Sequence, residues 1–283
     1  MKEIAVLLTV YNRRDKTLKC LSELFQQKIP STYNLKVYMT NDGCTDGTPE
    51  AVSDAFPSVH IIKGDGTLFW NRGMWTAWNV ASKEKDYDYY LWLNDDTYLY
   101  EDAIKELLES AEKKDNSSII VGACLASDKK SLTYGGRKSS RKSEVPIPNG
   151  SLEEVETFNG NIVLVPKSVF HKIGNLDYYY RHSHGDLDYG LRAHSAGIKS
   201  YQVGVVLVEC DRHEKLNYWG DPAIPLRKRL KILYSPIGFS PIECFHSERK
   251  HYNICMASFH FVTVHLRCLF PTLWLKYKGI EKR

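Results

Sequence analysis

The sequence lacks the features that define several protein classes. Its seven cysteines form no Cys-x-x-Cys pair, which argues against a zinc knuckle and fits a reducing compartment. No apolar run approaches the roughly 18 residues of a membrane-spanning helix. The first apolar run, Ile4 to Val10, is too short for the core of a signal peptide. We therefore expect a cytoplasmic protein.

Two nucleotide-binding motifs are missing as well. No Gly-x-x-x-x-Gly-Lys-Ser/Thr segment is present, which argues against a P-loop site. No Gly-x-Gly-x-x-Gly follows the first predicted strand, which disfavours a dinucleotide-dependent dehydrogenase. Hydrophobic residues make up 43% and charged residues 25% of the chain, so a disordered tail, a collagen-like rod and a coiled coil are excluded. We expect no nucleic-acid partner.

Charge is distributed unevenly along the chain. From Pro225 onward, eleven Lys and Arg residues accompany three Glu residues, a balance of +8, although the whole chain carries only +4. The residues before Pro225 therefore carry −4. An acidic body with a basic end predicts that the body binds cations and that the end contacts something anionic. A solvated lysine-rich end is the alternative.

The first half of the chain alternates strand-like and helix-like segments, the pattern of an α/β fold with a mostly parallel sheet. The predicted strands of this half are 3–10, 35–40, 59–63, 89–93 and 119–123. The predicted helices are 14–27, 48–56, 71–83 and 101–114. The second half has a polar, turn-rich stretch, then two strands around one helix, at 127–151, 162–165, 186–196 and 201–208.

Polar or glycine-rich clusters follow four consecutive predicted strands. In an open parallel sheet, ligands bind at the carboxyl ends of the strands, so these clusters predict one ligand site. A single Asp-Gly pair would be only a turn, but four clusters at one edge are hard to explain that way. The clusters are residues 9–13, 41–48, 64–73 and 94–97.

The aspartates at this edge indicate the kind of ligand. Asp95 and Asp96 are hard oxygen ligands that suit Mg²⁺ or Mn²⁺ with a phosphate-bearing substrate. The alternative for this pair is a helix cap before Glu101. Asp42 is an acceptor in a glycine-flanked turn, and it can accept a hydrogen bond from the imide N–H of a nucleobase.

A second cluster of His and Asp residues, at 182–188, lies in the other half of the chain. A metallohydrolase is one interpretation of this cluster, but Leu187 stands where that class usually has His. We expect Asp186 to face the cleft at the start of a helix as a general base. Asp188 and Arg192, four residues apart on that helix, should form a supporting pair.

Together these segments resemble glycosyltransferase family 2, the inverting enzymes of the GT-A fold, over roughly Ile4 to His213. The resemblance implies a nucleotide-diphosphate sugar donor and a saccharide or lipid-linked acceptor, in cell-surface polysaccharide synthesis. It implies direct displacement at the anomeric carbon, with Asp186 taking the proton of the acceptor hydroxyl. The segments that carry it, in family order, are 9–13, 41–48, 70–77, 94–96 and 185–197.

The resemblance also assigns roles to the other candidate residues. Donor binding is implied for Thr9, Tyr11, Asn12, Arg13, Asp42, Asn71, Gly73 and Asp95. The metal, Mg²⁺ or Mn²⁺, is expected at Asp96, with His213 as a further ligand or an ordinary surface histidine. Acceptor binding is expected at Asp188 and at aromatic residues that either stack on sugar rings or simply pack, namely Trp70, Tyr179, Tyr180 and Trp219.

The chain departs from the family pattern at two positions. Asn94 replaces the first acid of the Asp-x-Asp motif, so metal ligation is expected to rest on Asp96. Members that resemble rhamnosyltransferases often carry Asn there, which favours a rhamnosyltransferase-like bacterial enzyme with a deoxysugar donor. Gly185 replaces the Glu before the base, so Asp186 is expected to take the proton alone.

The resemblance divides the chain into a catalytic domain and an extension. We predict a GT-A domain over 1–221, with a mostly parallel central sheet and flanking helices. Its nucleotide-sugar-binding half is 1–126 and its acceptor-binding half is 127–221. Residues 222–283 should form a small helical extension rich in basic and aromatic residues.

The extension predicts a membrane contact. It combines a basic cluster at 227–231 with an apolar stretch at 259–274, which His260, His265 and Arg267 interrupt. We expect it to lie against the cytoplasmic face of an anionic membrane without spanning it. The alternative is a helical lid that packs onto the catalytic domain.

Two other functions fit parts of the sequence. A sugar-phosphate nucleotidyltransferase also uses aspartates on Mg²⁺, but it needs a glycine-rich basic loop after the first strand, and residues 11–14 contain no glycine. A catalytically inactive sugar-nucleotide-binding module should have lost Asp96 or Asp186, and both are present. Turnover of a nucleotide sugar separates the three functions.

Overall fold

The computed structural model describes residues 1–140, 144–212 and 218–277. The chain divides into two compact units. The first unit comprises Met1–Tyr178 and Gly185–Arg212, and the second comprises Tyr179–His184 and His213–Arg283.

The first unit alternates strands and helices in the predicted order. Its strands are β1 (Lys2–Val10), β2 (Tyr33–Asn41), β3 (His60–Lys63), β4 (Tyr89–Leu93), β5 (Tyr98–Leu99), β6 (Ile119–Leu125), β7 (Gly136–Arg137), β8 (Glu153–Val155), β9 (Thr157–Phe158), β10 (Ile162–Pro166) and β11 (Ser200–Glu209). Its helices are α1 (Arg14–Phe25), α2 (Thr48–Ala55), α3 (Phe69–Glu84), α4 (Ala103–Glu112), α5 (Lys167–Ile173) and α6 (Gly185–Ser195). Every predicted strand and helix is present, with its ends shifted by at most two residues.

Within the described residues, the main sheet has the order β3-β2-β1-β4-β10-β6-β11-β5, with β8 paired to β11 beside this path. Strands β3, β2, β1 and β4 are parallel to one another. Strand β10 runs antiparallel to both of its neighbours, β4 and β6, whereas β6 and β11 are parallel. The α/β fold with flanking helices is confirmed. The parallel order holds for the half that begins the chain, and the rest of the sheet is mixed.

Strand β1 shows why this sheet is covered on both faces. Ile4 and Val6 belong to a core cluster that includes side chains of α1 and α4. Ala5 and Leu7 point the other way, into a cluster with α3 and α6. Since successive side chains of a strand alternate between faces, a continuous apolar run is what a sheet buried on both faces requires.

The second unit is helical and has a small core of its own. Its helices are α7 (Leu226–Tyr234), α8 (Pro241–His251), α9 (Ile254–Leu269) and α10 (Pro271–Tyr277). Arg181, from the segment Tyr179–His184, donates a 2.6 Å hydrogen bond to the buried carboxylate of Glu243 on α8. Among the described residues, no single helix is long and apolar enough to cross a membrane. Helices α9 and α10 reach that length and composition only together, and they are bent by 106°.

Candidate active site

The carboxyl ends of β1, β2 and β4 bring the predicted clusters to one edge of the sheet, because these strands are parallel neighbours. The loops after β1 and β2 are joined by hydrogen bonds. Asn12 Oδ1 accepts one from the Thr45 N–H at 2.7 Å, and Asp46 Oδ2 accepts one from the Arg14 N–H at 3.0 Å. Asn12 therefore holds the two loops together, while its neighbour Tyr11 is exposed.

Arg13 bridges Asp95 and Asp96. One guanidinium nitrogen, Nη1, lies 3.0 Å from Asp95 Oδ1 and 2.8 Å from Asp96 Oδ2. Both aspartates are buried, and Thr17 donates a further hydrogen bond to Asp95. Burial raises the pKa of Asp95 to about 7, and the positive charge of Arg13 opposes that rise. Neither aspartate caps α4, since that helix begins only at Ala103.

The Asp95–Asp96 pair fits a divalent cation in charge and in donor type. Its two carboxylates already converge on one positive group, and Mg²⁺ is commonly held by one or two carboxylates together with substrate phosphates. Across residues 1–140, 144–212 and 218–277, no group of three or more His, Cys, Asp and Glu side chains is placed to hold a metal. With the described residues alone, a bound ion would take its further ligands from water or from the phosphates of the substrate. His213 lies outside the described residues.

Asp42 organises the loop that follows β3. Its Oδ1 accepts hydrogen bonds from the N–H groups of Gly66 and Leu68 at 2.9 and 3.1 Å, and its Oδ2 accepts one from Phe69 at 2.8 Å. The turn after β2 and the turn after β3 are in close contact. A Cβ on Gly43 of the first turn would lie only 2.9 Å from Gly66 Cα of the second. An ionised carboxylate has about four acceptor positions. Three of them are used within the protein, and the predicted nucleobase contact would take the fourth.

Trp70 connects the end of β4 to the helix that carries Asp186. Its indole N–H donates a 2.7 Å hydrogen bond to Asn94 Oδ1. Its six-membered ring lies against Gly160, where a Cβ would come within 2.5 Å of Cζ2. The Gly160 N–H in turn donates a 3.1 Å hydrogen bond to Asp186 Oδ2. A continuous line of contacts therefore runs from Asn94 through Trp70 and Gly160 to Asp186.

Asp186 and Asp188 have different environments at the start of α6. Asp186 is half-buried and accepts hydrogen bonds from the N–H groups of Gly160 and Leu187. Asp188 is fully buried and pairs with Arg192 Nε at 2.8 Å, which confirms the predicted pair. Because Asp188 has no exposed surface, the structure does not bring it to the cleft as an acceptor contact. Such a contact would require α6 to move.

Three residues predicted to bind the donor lie where α3 packs on the sheet. A Cβ on Gly73 would lie 2.1 Å from Thr9 Oγ1, so glycine is what allows the helix to approach β1 this closely. Asn71 is fully buried, and its Nδ2 donates a 2.8 Å hydrogen bond to the carbonyl of Asp177. Thr9, Asn71 and Gly73 thus shape the start of α3, and their contact with a donor stays a prediction.

Tyr180 and Trp219 are buried within the second unit, to which both belong. The ring of Tyr180 packs edge-on against Tyr179 and His246. Trp219 packs against Phe239 in the core of that unit. Both residues therefore follow the packing alternative in this structure. Stacking on a sugar ring would require each of them to leave these contacts.

Several residues at this edge were not identified from the sequence. Gly160 and Asn161 were missed, although a Gly-Asn pair directly before an apolar strand was a usable signal. The Asn161 carbonyl accepts a 3.0 Å hydrogen bond from the Asn94 N–H, and its side chain donates to Cys210 Sγ. Burial raises the pKa of the Cys210 thiol to about 12. Thr17 and Cys210 gave no signal, because their positions depend on contacts between distant segments.

The architecture and the edge site together define a GT-A-like fold. The chain superposes on the crystal structure of S. aureus TarS 1–349 in complex with UDP with a TM-score of 0.54 and 15% identity. The alignment covers 90% of this chain and 71% of that chain.

The sequence gives the family. The profile described as "Glycosyl transferase family 2" matches residues 5–178, and the chain belongs to this family. It is 25% identical over 195 residues to an uncharacterized glycosyltransferase of Rickettsia typhi, which covers 66% of this chain and 57% of that protein. It is 29% identical over 177 residues to the poly-beta-1,6-N-acetyl-D-glucosamine synthase of Staphylococcus epidermidis, which covers 62% and 42%. The chain thus spans about half the length of these relatives.

Proposed function

We propose that this chain transfers a sugar from a nucleotide-diphosphate donor to a hydroxyl group of a saccharide or lipid-linked acceptor. The transfer would invert the anomeric carbon and serve cell-surface polysaccharide synthesis on the cytoplasmic side of the membrane. Membership of glycosyl transferase family 2 supports glycosyl transfer. The UDP in the similar TarS structure supports a nucleotide-linked donor, and the polysaccharide synthase among the relatives supports a polymer as the acceptor.

One observation carries the proposal: Asp186, the candidate base, and the buried Asp95–Asp96 carboxylate pair share one edge of the sheet. Asp186 is linked through Gly160 and Trp70 to Asn94. Asn94 directly precedes the Asp95–Asp96 pair. A displacement reaction needs these two functions close together, since the acceptor must be deprotonated beside the carbon from which the diphosphate departs.

Asp186 is the base in this proposal. Its carboxylate accepts the proton of the acceptor hydroxyl while the oxygen attacks the anomeric carbon. The bond to the diphosphate breaks on the opposite face, and the diphosphate leaves with the electron pair. The N–H groups of Gly160 and Leu187 orient the carboxylate. A base positioned in this way contributes about 10²–10⁴-fold to the rate.

Asp95 and Asp96 would hold Mg²⁺ or Mn²⁺, which when bound supplies positive charge to the departing diphosphate. Arg13 already balances part of the charge of this pair. Its guanidinium is also partly exposed, so we expect Arg13 to contact the diphosphate itself as a planar, charged donor. Asp42 would contact the nucleobase through its remaining acceptor position.

The identity of the donor sugar is the most specific part of the proposal. Asn94 was the basis for predicting a rhamnosyltransferase-like enzyme, and its side-chain oxygen accepts the hydrogen bond of the Trp70 indole. This contact gives Asn94 a structural role that does not depend on the sugar. A deoxysugar donor therefore rests on the resemblance alone, and we test it against other donors.

A donor screen tests the proposed function. The thermal unfolding of the purified chain is first measured with Mn²⁺ and UDP, dTDP or GDP. A nucleotide that binds raises the unfolding temperature, because a ligand at 100 times its Kd raises the free energy of unfolding by about 2.7 kcal/mol. For each nucleotide that binds, the chain is then incubated with the corresponding sugar nucleotides and with saccharide acceptors. The release of nucleoside diphosphate is measured. A nucleotidyltransferase would instead release pyrophosphate from a nucleoside triphosphate. A binding module would show the thermal shift without turnover with any acceptor.

A further inference from the structure

Helix α9 is apolar on two opposite sides, and only one of them is covered. Ala257, Val264 and Cys268 form a buried inner stripe. Val264 and Cys268 pack there with Leu233 of α7 and with Trp219. Helix α9 therefore packs on the core of the second unit through its inner stripe. The opposite side of the helix takes no part in that core.

Exposed apolar side chains line the uncovered side of α9 and also follow the end of this helix, at Phe270 and at Leu273 of α10. The spacing on α9 follows the period of a helix, so the side chains form one stripe. Their exposed fractions lie between 41% and 65%. We call this the outer apolar face, and its members are Phe259, Val262, Leu266, Leu269, Phe270 and Leu273. Single exposed apolar residues are normal, but a contiguous patch marks a contact surface.

The charges around this face indicate the kind of surface it contacts. No Asp or Glu occurs between Glu248 and Glu281, whereas the same stretch contains five Lys or Arg residues. Arg267, which lies between members of the face in sequence, places its guanidinium 4.1 Å from the ring of Trp274. Glu248 of α8 is the acidic residue nearest in sequence, and it pairs with His260 at 2.6 Å. An apolar stripe on a segment that itself carries basic and no acidic residues is complementary to an anionic lipid surface, in which acyl chains lie beneath negative headgroups.

We propose that the outer apolar face inserts into the boundary between headgroups and acyl chains of an anionic membrane. Helix α9 then lies in the plane of the surface, because its inner stripe remains packed on the second unit. The proposal does not depend on sugar transfer, and either can fail alone. If both hold, the acceptor reaches the enzyme at a membrane surface.

Helix α7 supplies a second source of positive charge, with one correction to the predicted basic cluster. Arg227, Lys228 and Lys231 are exposed. Arg229 is buried, and its Nη1 lies 3.4 Å from the carbonyl of Asp221. Only three of the four basic residues are therefore available to lipid headgroups, and Arg229 is left unchanged in the test.

Sedimentation of the full-length chain with vesicles tests the proposal. We expect pelleting with phosphatidylcholine vesicles that contain phosphatidylglycerol, and little pelleting with phosphatidylcholine alone. The double variant Phe259→Ser, Leu266→Ser should lower the partition coefficient at least tenfold. The triple variant Arg227→Gln, Lys228→Gln, Lys231→Gln should also lower it, and added salt should reduce binding of the wild type.

A matched control separates the outer apolar face from general hydrophobicity. Ile147→Ser with Val205→Ser removes two exposed apolar side chains of the first unit and should leave vesicle binding unchanged. Circular dichroism verifies that each variant is folded. A wild-type chain that stays in the supernatant with anionic vesicles at low salt would overturn the proposal. Vesicle binding that survives in the Phe259→Ser, Leu266→Ser variant would also overturn it. The same holds if this variant loses self-association of the chain while its binding to lipid is unchanged.

Discussion

The side chain of Asn71 occupies the space in which a Cβ of residue 185 would stand. An ideal Cβ on Gly185 would lie 1.8 Å from Asn71 Oδ1 and 2.5 Å from Asn71 Cγ. Gly185 is the first residue of α6, and it is the position at which the chain departs from the Glu of the family pattern. In this structure the Asn71 side chain of α3 leaves room only for glycine at position 185.

We expect Gly185→Ala to lower the free energy of unfolding by about 1–3 kcal/mol, the usual cost of adding a methyl group to a packed site. Asn71→Ala removes the atoms that clash, so the cost of Gly185→Ala should shrink in that background. Chemical denaturation of the four proteins of this double-mutant cycle measures the coupling. An equal cost in both backgrounds would show that Asn71 is not the group that excludes a side chain at position 185.

Trp70→Phe should slow the reaction by about tenfold while donor affinity stays near that of the wild type, since the change loosens the line of contacts to Asp186. Phe keeps an aromatic ring at this position, but it lacks both the N–H that binds Asn94 and the outer indole ring that lies against Gly160. Steady-state kinetics and calorimetry measure the two quantities. Trp75→Phe is the matched control, because Trp75 lies on the same helix and packs on Tyr178. Equal loss of rate in both variants would contradict a positioning role for Trp70.

Asp188→Asn should act on stability. It leaves the charge of Arg192 without its buried partner, a change that typically costs about 3–5 kcal/mol. Glu154→Gln is the control, because Glu154 and Lys199 form a solvent-exposed pair whose loss should change the free energy of unfolding far less. Urea unfolding compares the two variants. A larger loss of rate than in Asp186→Asn, with donor binding intact, would instead make Asp188 the base.

Most of the fold could be predicted from local sequence. Apolar runs of strand length, amphipathic helices and turn residues between them are local signals, so the order of β1 to α4 could be read directly. The antiparallel direction of β10 could not, because its four buried residues before Pro166 carry no mark of the direction in which they pair. The direction of β10 depends on how the chain runs from β6 to β10, and the sequence between these two strands has no periodic pattern.

The site was predicted in its parts but not in its contacts. The strand-end clusters around Asp42 and Asp95 were expected at one edge, and the parallel order of β1, β2 and β4 places them there. The bridge that Arg13 forms with Asp95 and Asp96 joins residues more than eighty positions apart. No local pattern encodes such a contact. Tyr180 and Trp219 were expected at a cleft because their type allows stacking, and side-chain type alone does not distinguish a cleft from a core.

Asp96→Ala should abolish the metal-dependent part of donor binding and reduce turnover to background, while the fold survives. The change removes one of the two carboxylates that converge on the Arg13 guanidinium and that would hold the metal. Calorimetry of nucleotide binding with and without Mn²⁺ is the measurement. Asp88→Ala is the matched control, because Asp88 precedes the opposite end of the same strand and binds Lys167. Unchanged metal dependence in Asp96→Ala would remove the pair from the donor site.

The single-turnover rate of Asp186→Asn, measured with saturating donor once an acceptor is known, tests the central claim most directly. Asn preserves the size of the side chain and an oxygen that accepts from Gly160, but it cannot take a proton from the acceptor. We predict donor affinity close to that of the wild type and a rate of nucleoside diphosphate release lower by at least about 10²-fold. A rate within about threefold of the wild type, with donor binding intact, would contradict the assignment of Asp186 as the base.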